Sequence, residues 1–298
     1  MQAGLQKSSH ASLQGYEEDM KRQRLSHIVI PFIPSQVESL KNTFALWESL
    51  APCDPSQPTH PFLPVEPPQV VFFVAQRTTS SESERSATKR DILDSYQNLP
   101  TKVRQCFGQA VYVIQELTPE QDSHVEGARL MFEHFLRNKD FISDATYAFY
   151  MEPDVRPISN GWLNRLVFEV SWPEAPFWVK GSIYRGTPSN VDGSSYTPNL
   201  YHLNGNAIYD MGGALSEFYF QKVRPYVEQA HGQSVNAYDT DFSEYLMQRE
   251  HFSTVIQIAH MFRFSEVIQN MWNTHFSASE LSRQFPRTGL VHGGTYHD

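Results

Sequence analysis

Two carboxylates, Glu152 and Asp154, stand one residue apart at the end of an apolar, aromatic run in this chain. The run, residues 145–151, is rich in tyrosine and phenylalanine, which favour packed positions in a sheet, so it is predicted as a buried strand. The acids then lie where the strand leaves the sheet, and in open α/β sheets ligands bind at the carboxyl ends of the strands. A pair of acids there can hold a divalent cation, and the cation can hold a diphosphate. The plainer alternative is a solvated acidic turn with Pro153 at its corner.

A second segment, residues 202–209, offers the side-chain amides of Asn204 and Asn206 around Gly205. Such planar hydrogen-bonding groups are suited to reading sugars. An Asn-Gly pair is equally compatible with a simple tight turn, because both residues favour turn conformations. The position of this segment after the two acids favours the first interpretation.

Two more acids and a late histidine follow. Asp241 and Glu244 have capping-box spacing, so Asp241 could merely cap the next helix, and Asp239 stands two residues before it. His292 follows a short apolar stretch and precedes two glycines, which indicates an imidazole on a flexible segment or simply an exposed tail histidine.

Alternating strand and helix patterns must position these groups. A buried strand at 25–32, an apolar helical stripe at 37–47 and a second buried strand at 70–75 favour a parallel sheet of the nucleotide-binding type. A polar tail at 1–24 and one domain at 25–298 are expected, with an inserted loop at 186–199. Further strands are predicted at 110–114 and 177–184, and helices at 127–136, 162–170, 217–228 and 242–252.

Bulk composition narrows the class of protein. The chain has 298 residues, 40% of them hydrophobic, and a formal net charge of −9, so a general nucleic-acid partner is not expected. No apolar run is long enough to span a membrane and no signal core is apparent, so we expect a soluble enzyme or a trimmed chain, in the cytoplasm or the Golgi lumen respectively. Cys53 and Cys106 could be paired or free.

The acidic segment is more specific than a bare pair of acids. Glu152-Pro-Asp154, the Arg-Pro that follows it and Trp-Leu a few residues on resemble the Asp-x-Asp region of GT-A glycosyltransferases, with glutamate in place of the first aspartate. The resemblance covers residues 25–296 in the order of elements. It implies an α/β fold of GT-A type, with a Rossmann-like mixed, mainly parallel central sheet flanked by helices. It also implies a hexosyl- or pentosyltransferase that moves a sugar from a UDP-sugar to a hydroxyl of a glycan or glycoprotein acceptor.

The resemblance also implies a metal site. Glu152, Asp154 and His292 would hold Mn²⁺ or Mg²⁺ against the diphosphate, with His275 as the alternative histidine, and imidazole suits Mn²⁺ better than Mg²⁺. Glutamate at position 152 leaves open whether it contacts the metal directly, or instead the ribose or a metal-bound water. Arg156 could pair with either acid.

Acceptor and donor contacts are implied in the same way. Asp241, or less strongly Asp239, would take the acceptor proton if the reaction inverts the anomeric centre, and would position the acceptor if it retains it. Arg129 would approach the sugar or diphosphate, or is an ordinary exposed helix residue. The residues that would contact the donor are Pro31, Phe32, Ile33, Gln76, Arg77, Arg129, Glu152, Asn204, Gly205 and Asn206.

Three alternatives remain at the level of sequence. One is a catalytically silent glycan-binding relative, although every candidate position is filled. Another is a sugar-nucleotide nucleotidyltransferase, but residues 31–36 lack the glycines and basic residues that would hold a triphosphate. The third is a structural α/β protein. A dehydrogenase or P-loop nucleotidase is not indicated, because neither glycine-rich fingerprint is present.

Overall fold

Parallel strands form the centre of the molecule in the computed structural model, which describes residues 23–54, 66–137, 146–171, 175–186, 202–232 and 237–296. Within these residues the strands are β1 Leu25–Phe32, β2 Gln69–Arg77, β3 Ala110–Leu117, β4 Tyr147–Tyr150, β5 Val155–Pro157, β6 Val179–Gly181, β7 Ile208–Asp210, β8 Phe262–Phe264, β9 Ile268–Asn270, β10 His275–Phe276, β11 Leu290–His292 and β12 Thr295–Tyr296.

The described strands form three sheets. The central sheet has seven strands in the order β3-β2-β1-β4-β7-β6-β8. Strands β1 to β4 are parallel, β7 is antiparallel to both of its neighbours, and β8 is parallel to β6. A smaller sheet has the order β5-β11-β9, and β10 pairs with β12. The mixed, mainly parallel α/β architecture expected from the sequence is therefore confirmed.

α-Helices connect many of the described strands. They are α1 Val37–Ser49, α2 Glu82–Gln97, α3 Thr101–Arg104, α4 His124–Arg137, α5 Trp162–Val170, α6 Ala214–Phe218, α7 Arg224–His231, α8 Tyr238–Leu246, α9 Phe252–Ile258 and α10 Ala278–Gln284. A π-helical turn, Tyr219–Val223, joins α6 to α7.

Alternate residues of β1 separate the core into two layers. Ile28 and Ile30 belong to one cluster together with Phe44 of α1. Val29 belongs to the other, together with Phe132 of α4. This is the two-residue period of a strand that is covered on both faces, and it explains why β1 reads as a continuous apolar run.

Several local expectations were wrong. The helix expected at 242–252 is interrupted, because α8 ends at Leu246 and a 3₁₀ turn, Arg249–His251, precedes α9. The strand expected at 177–184 is regular only over Val179–Gly181, with an isolated bridge at Tyr184. Residues 1–22 of the expected tail and 187–199 of the expected loop lie outside the described residues.

A disulfide joins Cys53, after α1, to Cys106, after α3, which decides between the two states that the sequence left open. It links the end of α1 to the connection that leads into β3, so it closes one flank of the sheet. Among the described residues, no helix is both long and apolar enough to cross a membrane.

Candidate metal centre

Strand register brings His292 to the two acids. Strand β11 pairs antiparallel with β5, and His292 lies opposite Val155, the residue after Asp154. On its other side β11 pairs in parallel with β9, where His292 lies opposite Asn270. The small sheet therefore holds a late histidine against the loop that follows β4, at the carboxyl end of a parallel strand.

The three side chains converge on one point. His292 Nε2 lies 3.2 Å from a carboxylate oxygen of Glu152 and 3.4 Å from one of Asp154. One ligand atom from each of these residues lies within 4.8 Å of the other two. Among the described residues, these three form the group of acidic and histidine side chains that could hold a metal ion. An imidazole with two carboxylates is a donor set that suits Mn²⁺ or a similar divalent cation. The residues present thus fit the metal that the sequence implies.

Asn270 orients the histidine. Its Oδ1 lies 3.3 Å from His292 Nδ1, so Nδ1 can donate to the amide oxygen and Nε2 faces the acids. Metal-binding histidines are commonly fixed in this way by a hydrogen bond from the ring nitrogen that does not bind the metal. The buried ring therefore presents one defined nitrogen to the site.

The electrostatics of the cluster favour a protonated His292 beside an ionised Glu152. Burial alone would lower the pKa of His292, but the hydrogen bond and charge of Glu152 and the charge of Asp154 raise it to about 9. Burial would raise the pKa of Glu152, yet His292 and Asn206 hold it below its ordinary value. Burial raises the pKa of Asp154. An incoming cation would replace the proton that His292 holds, because metal ligands bind in their deprotonated form.

Glu152 is held by two further side chains. The Asn206 amide donates to Glu152 Oε2 over 2.8 Å, and Asn206 Oδ1 accepts from the Glu152 backbone N–H over 2.7 Å. The Tyr238 hydroxyl donates to Glu152 Oε1 over 3.2 Å. Asn206 is fully buried, and Tyr238 stacks on Phe132 with ring centroids 4.4 Å apart. Rigid neighbours therefore fix the orientation of this carboxylate.

Asp239 lies at the centre of a neighbouring set of hydrogen bonds. Its Oδ2 lies 3.2 Å from His202 Nε2 and accepts from Asn204 Nδ2 over 3.3 Å and from the Gly205 backbone N–H over 3.0 Å. Burial would raise the pKa of Asp239, but the hydrogen bond and charge of His202 lower it below its ordinary value. Asp239 is thus an ionised acid that anchors the segment carrying Asn206.

Glycine at 205 is required by close packing. A Cβ at this position would lie 2.1 Å from the Tyr238 hydroxyl oxygen, well inside van der Waals contact. The absence of a side chain lets the backbone pass under Tyr238 and reach Asp239. The Asn-Gly-Asn segment thus positions Glu152, and the contacts with sugar or donor expected from the sequence stay a prediction.

The structure does not place Asp241 in this site. Its side chain is fully buried, the Tyr219 hydroxyl donates to it over 2.9 Å, and the Arg224 guanidinium lies 3.5 Å away. Burial raises the pKa of Asp241 to about 6. Asp241 is also not the N-cap of α8, because the helix begins at Tyr238, three residues before Asp241, and Ala237 occupies the N-cap position. A carboxylate without exposed surface cannot contact an acceptor.

Arg129 is likewise engaged elsewhere. It is nearly buried, and its guanidinium pairs with Glu126 and Glu133 of the same helix. Both edges of the guanidinium fork are therefore occupied, and Arg129 is not an ordinary exposed helix residue.

The other residues expected to contact the sugar donor differ in their solvent exposure. Phe32 is a core residue and Pro31 is buried, so neither offers an exposed side chain, whereas Ile33 is exposed. Gln76 is buried, and its Oε1 has no hydrogen-bond partner in the described part of the chain. Arg77 is exposed and pairs with Asp122 over 2.6 Å. His275, the alternative ligand, is exposed in β10 and does not belong to the cluster of three.

Three supporting residues were missed by sequence reasoning: Tyr238, Asn270 and His202 as the partner of Asp239. Tyr238 directly precedes Asp239, so its position beside a candidate acid was a usable signal. Asn270 has no local signal, because only the pairing of β9 with β11 brings it to His292.

No protein-family model matches the chain, and no curated protein matches its sequence. Among solved structures, the chain is similar to galactosyltransferase LgtC in complex with donor and acceptor sugar analogs, at 15% identity and a TM-score of 0.46, covering 90% of this chain and 86% of that one. Mouse xyloside xylosyltransferase 1 in its apo form has 11% identity and a TM-score of 0.47, with 90% and 97% covered. The bifunctional glycosyltransferase WbbM has 9% identity and a TM-score of 0.47, with 90% and 45% covered. All three are glycosyltransferases, but at these identities and TM-scores the similarity carries no argument about the function of this chain.

Proposed function

We propose that the chain is a metal-dependent glycosyltransferase that uses a nucleotide-diphosphate sugar, a UDP-sugar by the resemblance of its acidic segment. The observation that carries the proposal is the convergence of Glu152, Asp154 and His292 at the carboxyl end of β4. A cation held there lies at the edge of the sheet where α/β proteins bind nucleotides.

The metal, Mn²⁺ or Mg²⁺, would supply Lewis-acid stabilisation of the charge that develops on the departing nucleotide diphosphate. Glu152, Asp154 and His292 would hold it, and Asn270 keeps His292 Nε2 directed at the acids. Asn206 fixes Glu152 by accepting from its backbone and donating to its side chain. This preorganised arrangement also supports direct contact between Glu152 and the metal.

We assign Asp239, whose charge acts on both Glu152 and His292, to the acceptor side of the site. It has the lowered pKa of a carboxylate that already accepts several hydrogen bonds, and such a group is a weak general base. A positioning role for Asp239 therefore fits better than proton removal, and this agrees better with a retaining than with an inverting reaction. The acceptor is a hydroxyl of a glycan or glycoprotein.

A silent glycan-binding relative is the second candidate function. It would keep the fold without a working metal site, yet all three ligand positions are filled and converge. Binding of a glycan without metal-dependent binding of a nucleotide would favour it.

Titration with UDP, with and without Mn²⁺, tests the proposal. A ligand present at 100 times its dissociation constant should stabilise the folded protein by about 2.7 kcal/mol. We expect this stabilisation only with Mn²⁺, and we expect Asp154→Ala to abolish it. Asp94→Ala, which removes an exposed acid of α2, is the matched control and should behave as the wild type. UDP binding that is indifferent to both metal and Asp154 would overturn the proposal.

The reaction itself is tested next with a panel of UDP-sugars. The expected result is Mn²⁺-dependent release of UDP from one donor, and faster release once the matching acceptor is added. If no donor is turned over although UDP binding depends on the metal, the silent relative becomes the better description.

A further inference from the structure

A cleft of about 400 Å³ opens between α1 and the loop that carries the two acids. Its lining residues are Ser39, Asn42, Thr43, Leu46, Pro153 and Arg156. The four residues of α1 follow helical spacing and so form one face of the helix. The volume falls within the range typical of small-molecule sites. The metal ligands do not line it, so it is separate from the candidate metal centre.

The cleft has one charged group, the guanidinium of Arg156. The sequence suggested that Arg156 pairs with one of the acids, but no ion pair or hydrogen bond of its side chain is found among the described residues, and the residue is exposed. Asp154 instead directs a carboxylate oxygen to His292. Other arginines that flank the sheet, such as Arg77, are paired with acids. The charge of Arg156 acts on the nearby Asp154, lowering the pKa of that acid against the effect of burial, but it makes no hydrogen bond within the described residues, so its N–H groups are open to a ligand in the cleft.

The remaining lining groups suit a small polar ligand. The Thr43 hydroxyl donates to the Pro153 carbonyl over 2.9 Å, which fixes that wall of the cleft. The exposed amide of Asn42 adds a donor, and Leu46 and Pro153 supply apolar contact. The lysine nearest in sequence, Lys41, is engaged with Glu38 and Asp91, so Arg156 is the cation that would attract a ligand here.

We propose that this cleft binds an oxyanion, the phosphate or carboxylate group of a small molecule, through the guanidinium of Arg156 and the amide of Asn42. The planar fork of an arginine matches both groups by paired hydrogen bonds. Pro153 lies between Glu152 and Asp154, and β5, which carries Arg156, pairs with β11, which carries His292. A ligand in the cleft therefore contacts the same loop and the same small sheet that present the metal ligands.

The test uses metal-free protein at constant ionic strength, titrated with inorganic phosphate and separately with acetate, with binding followed by backbone amide NMR shifts. We expect saturable shifts in residues 39–46 and 153–156 with at least one of the two anions. Arg156→Gln should weaken that binding at least tenfold and Asn42→Ala severalfold. Arg249→Gln, an exposed arginine outside the cleft, is the matched control and should leave binding unchanged.

The absence of saturable binding of either anion would overturn the proposal. Equal weakening by Arg156→Gln and Arg249→Gln would overturn it as well, because it would indicate general charge attraction. Binding of phosphate alone would assign a phosphate ester, and binding of acetate alone a carboxylate ligand. Because neither metal nor UDP is present, a negative result here leaves the proposed glycosyl transfer untouched.

Discussion

Tyr238 donates its hydroxyl hydrogen to Glu152 over 3.2 Å, which links the first residue of α8 to the loop after β4. Partners of metal ligands that do not touch the metal commonly change metal affinity by 10- to 100-fold when removed. We expect Tyr238→Phe to weaken Mn²⁺ binding by about tenfold, measured by calorimetric titration. Tyr226→Phe removes a partly buried tyrosine hydroxyl elsewhere and should leave Mn²⁺ affinity unchanged. Equal affinities in the two variants would remove Tyr238 from the site.

His292 distinguishes a three-ligand site from one made of the two acids alone. His292→Gln keeps a polar side chain but loses the imidazole that lies 3.2 Å from Glu152. We expect Mn²⁺-dependent stabilisation by UDP to disappear in a thermal-shift assay. His275→Gln, the control from exposed β10, should retain it. The opposite pattern would make His275 the ligand.

The raised pKa of Asp241 predicts how the stability of the folded protein depends on pH. Burial raises its pKa in the folded protein to about 6, above the ordinary aspartate value of 3.8, so the folded state binds this proton more tightly than the unfolded state. Its contribution to stability is therefore full below about pH 4 and is lost as the pH rises through about 6. A shift of this size corresponds to the order of 2–3 kcal/mol.

Asp241→Asn should remove that part of the pH dependence. The measurement is the free energy of unfolding of variant and wild type in urea at several pH values between 4 and 8. We expect the difference between the two to change in favour of the variant as the pH rises, and then to level off above pH 7. The exposed control Asp94→Asn should show a nearly constant difference. A constant difference for Asp241→Asn would contradict the assignment.

The disulfide should stabilise the fold without serving the metal site. It joins residues 53 positions apart, and the chain-entropy model gives about 4 kcal/mol for a loop of that length. The double variant Cys53→Ser/Cys106→Ser is therefore expected to lose about that much unfolding free energy in urea denaturation. Its Mn²⁺ affinity at a temperature where it stays folded should match the wild type. A large loss of affinity would show that the bridge also positions the acids.

Continuous apolar runs were the part of the fold that sequence could predict. Strands β1 and β2 are buried on both faces, so nearly every residue had to be apolar and the pattern was unambiguous. The break between α8 and α9 was not predictable, because neither glycine nor proline stands between Leu246 and Phe252. Tertiary packing determines where that helix ends.

The sequence could likewise predict only part of the candidate site. The sequence nominated Glu152, Asp154 and His292, and the structure brings all three together. The capping-box spacing of Asp241 was misleading, because the spacing says nothing about Arg224, the partner that holds this side chain in the core. Pairings across distant strands and helices carry no local sequence signal.

The small sheet β5-β11-β9 has a consequence for biosynthesis, because it joins a strand just after the acids to one close to the last described residues. A ribosome delivers the chain in order, so Glu152 and Asp154 leave it long before His292. At roughly 5–20 residues per second the interval is of the order of ten seconds. Throughout that time β1 to β4 can pair while β11, with its histidine, does not yet exist. The growing chain therefore carries an acidic loop without its imidazole partner, and the three-ligand site can form only once translation of the segment that contains β11 is complete.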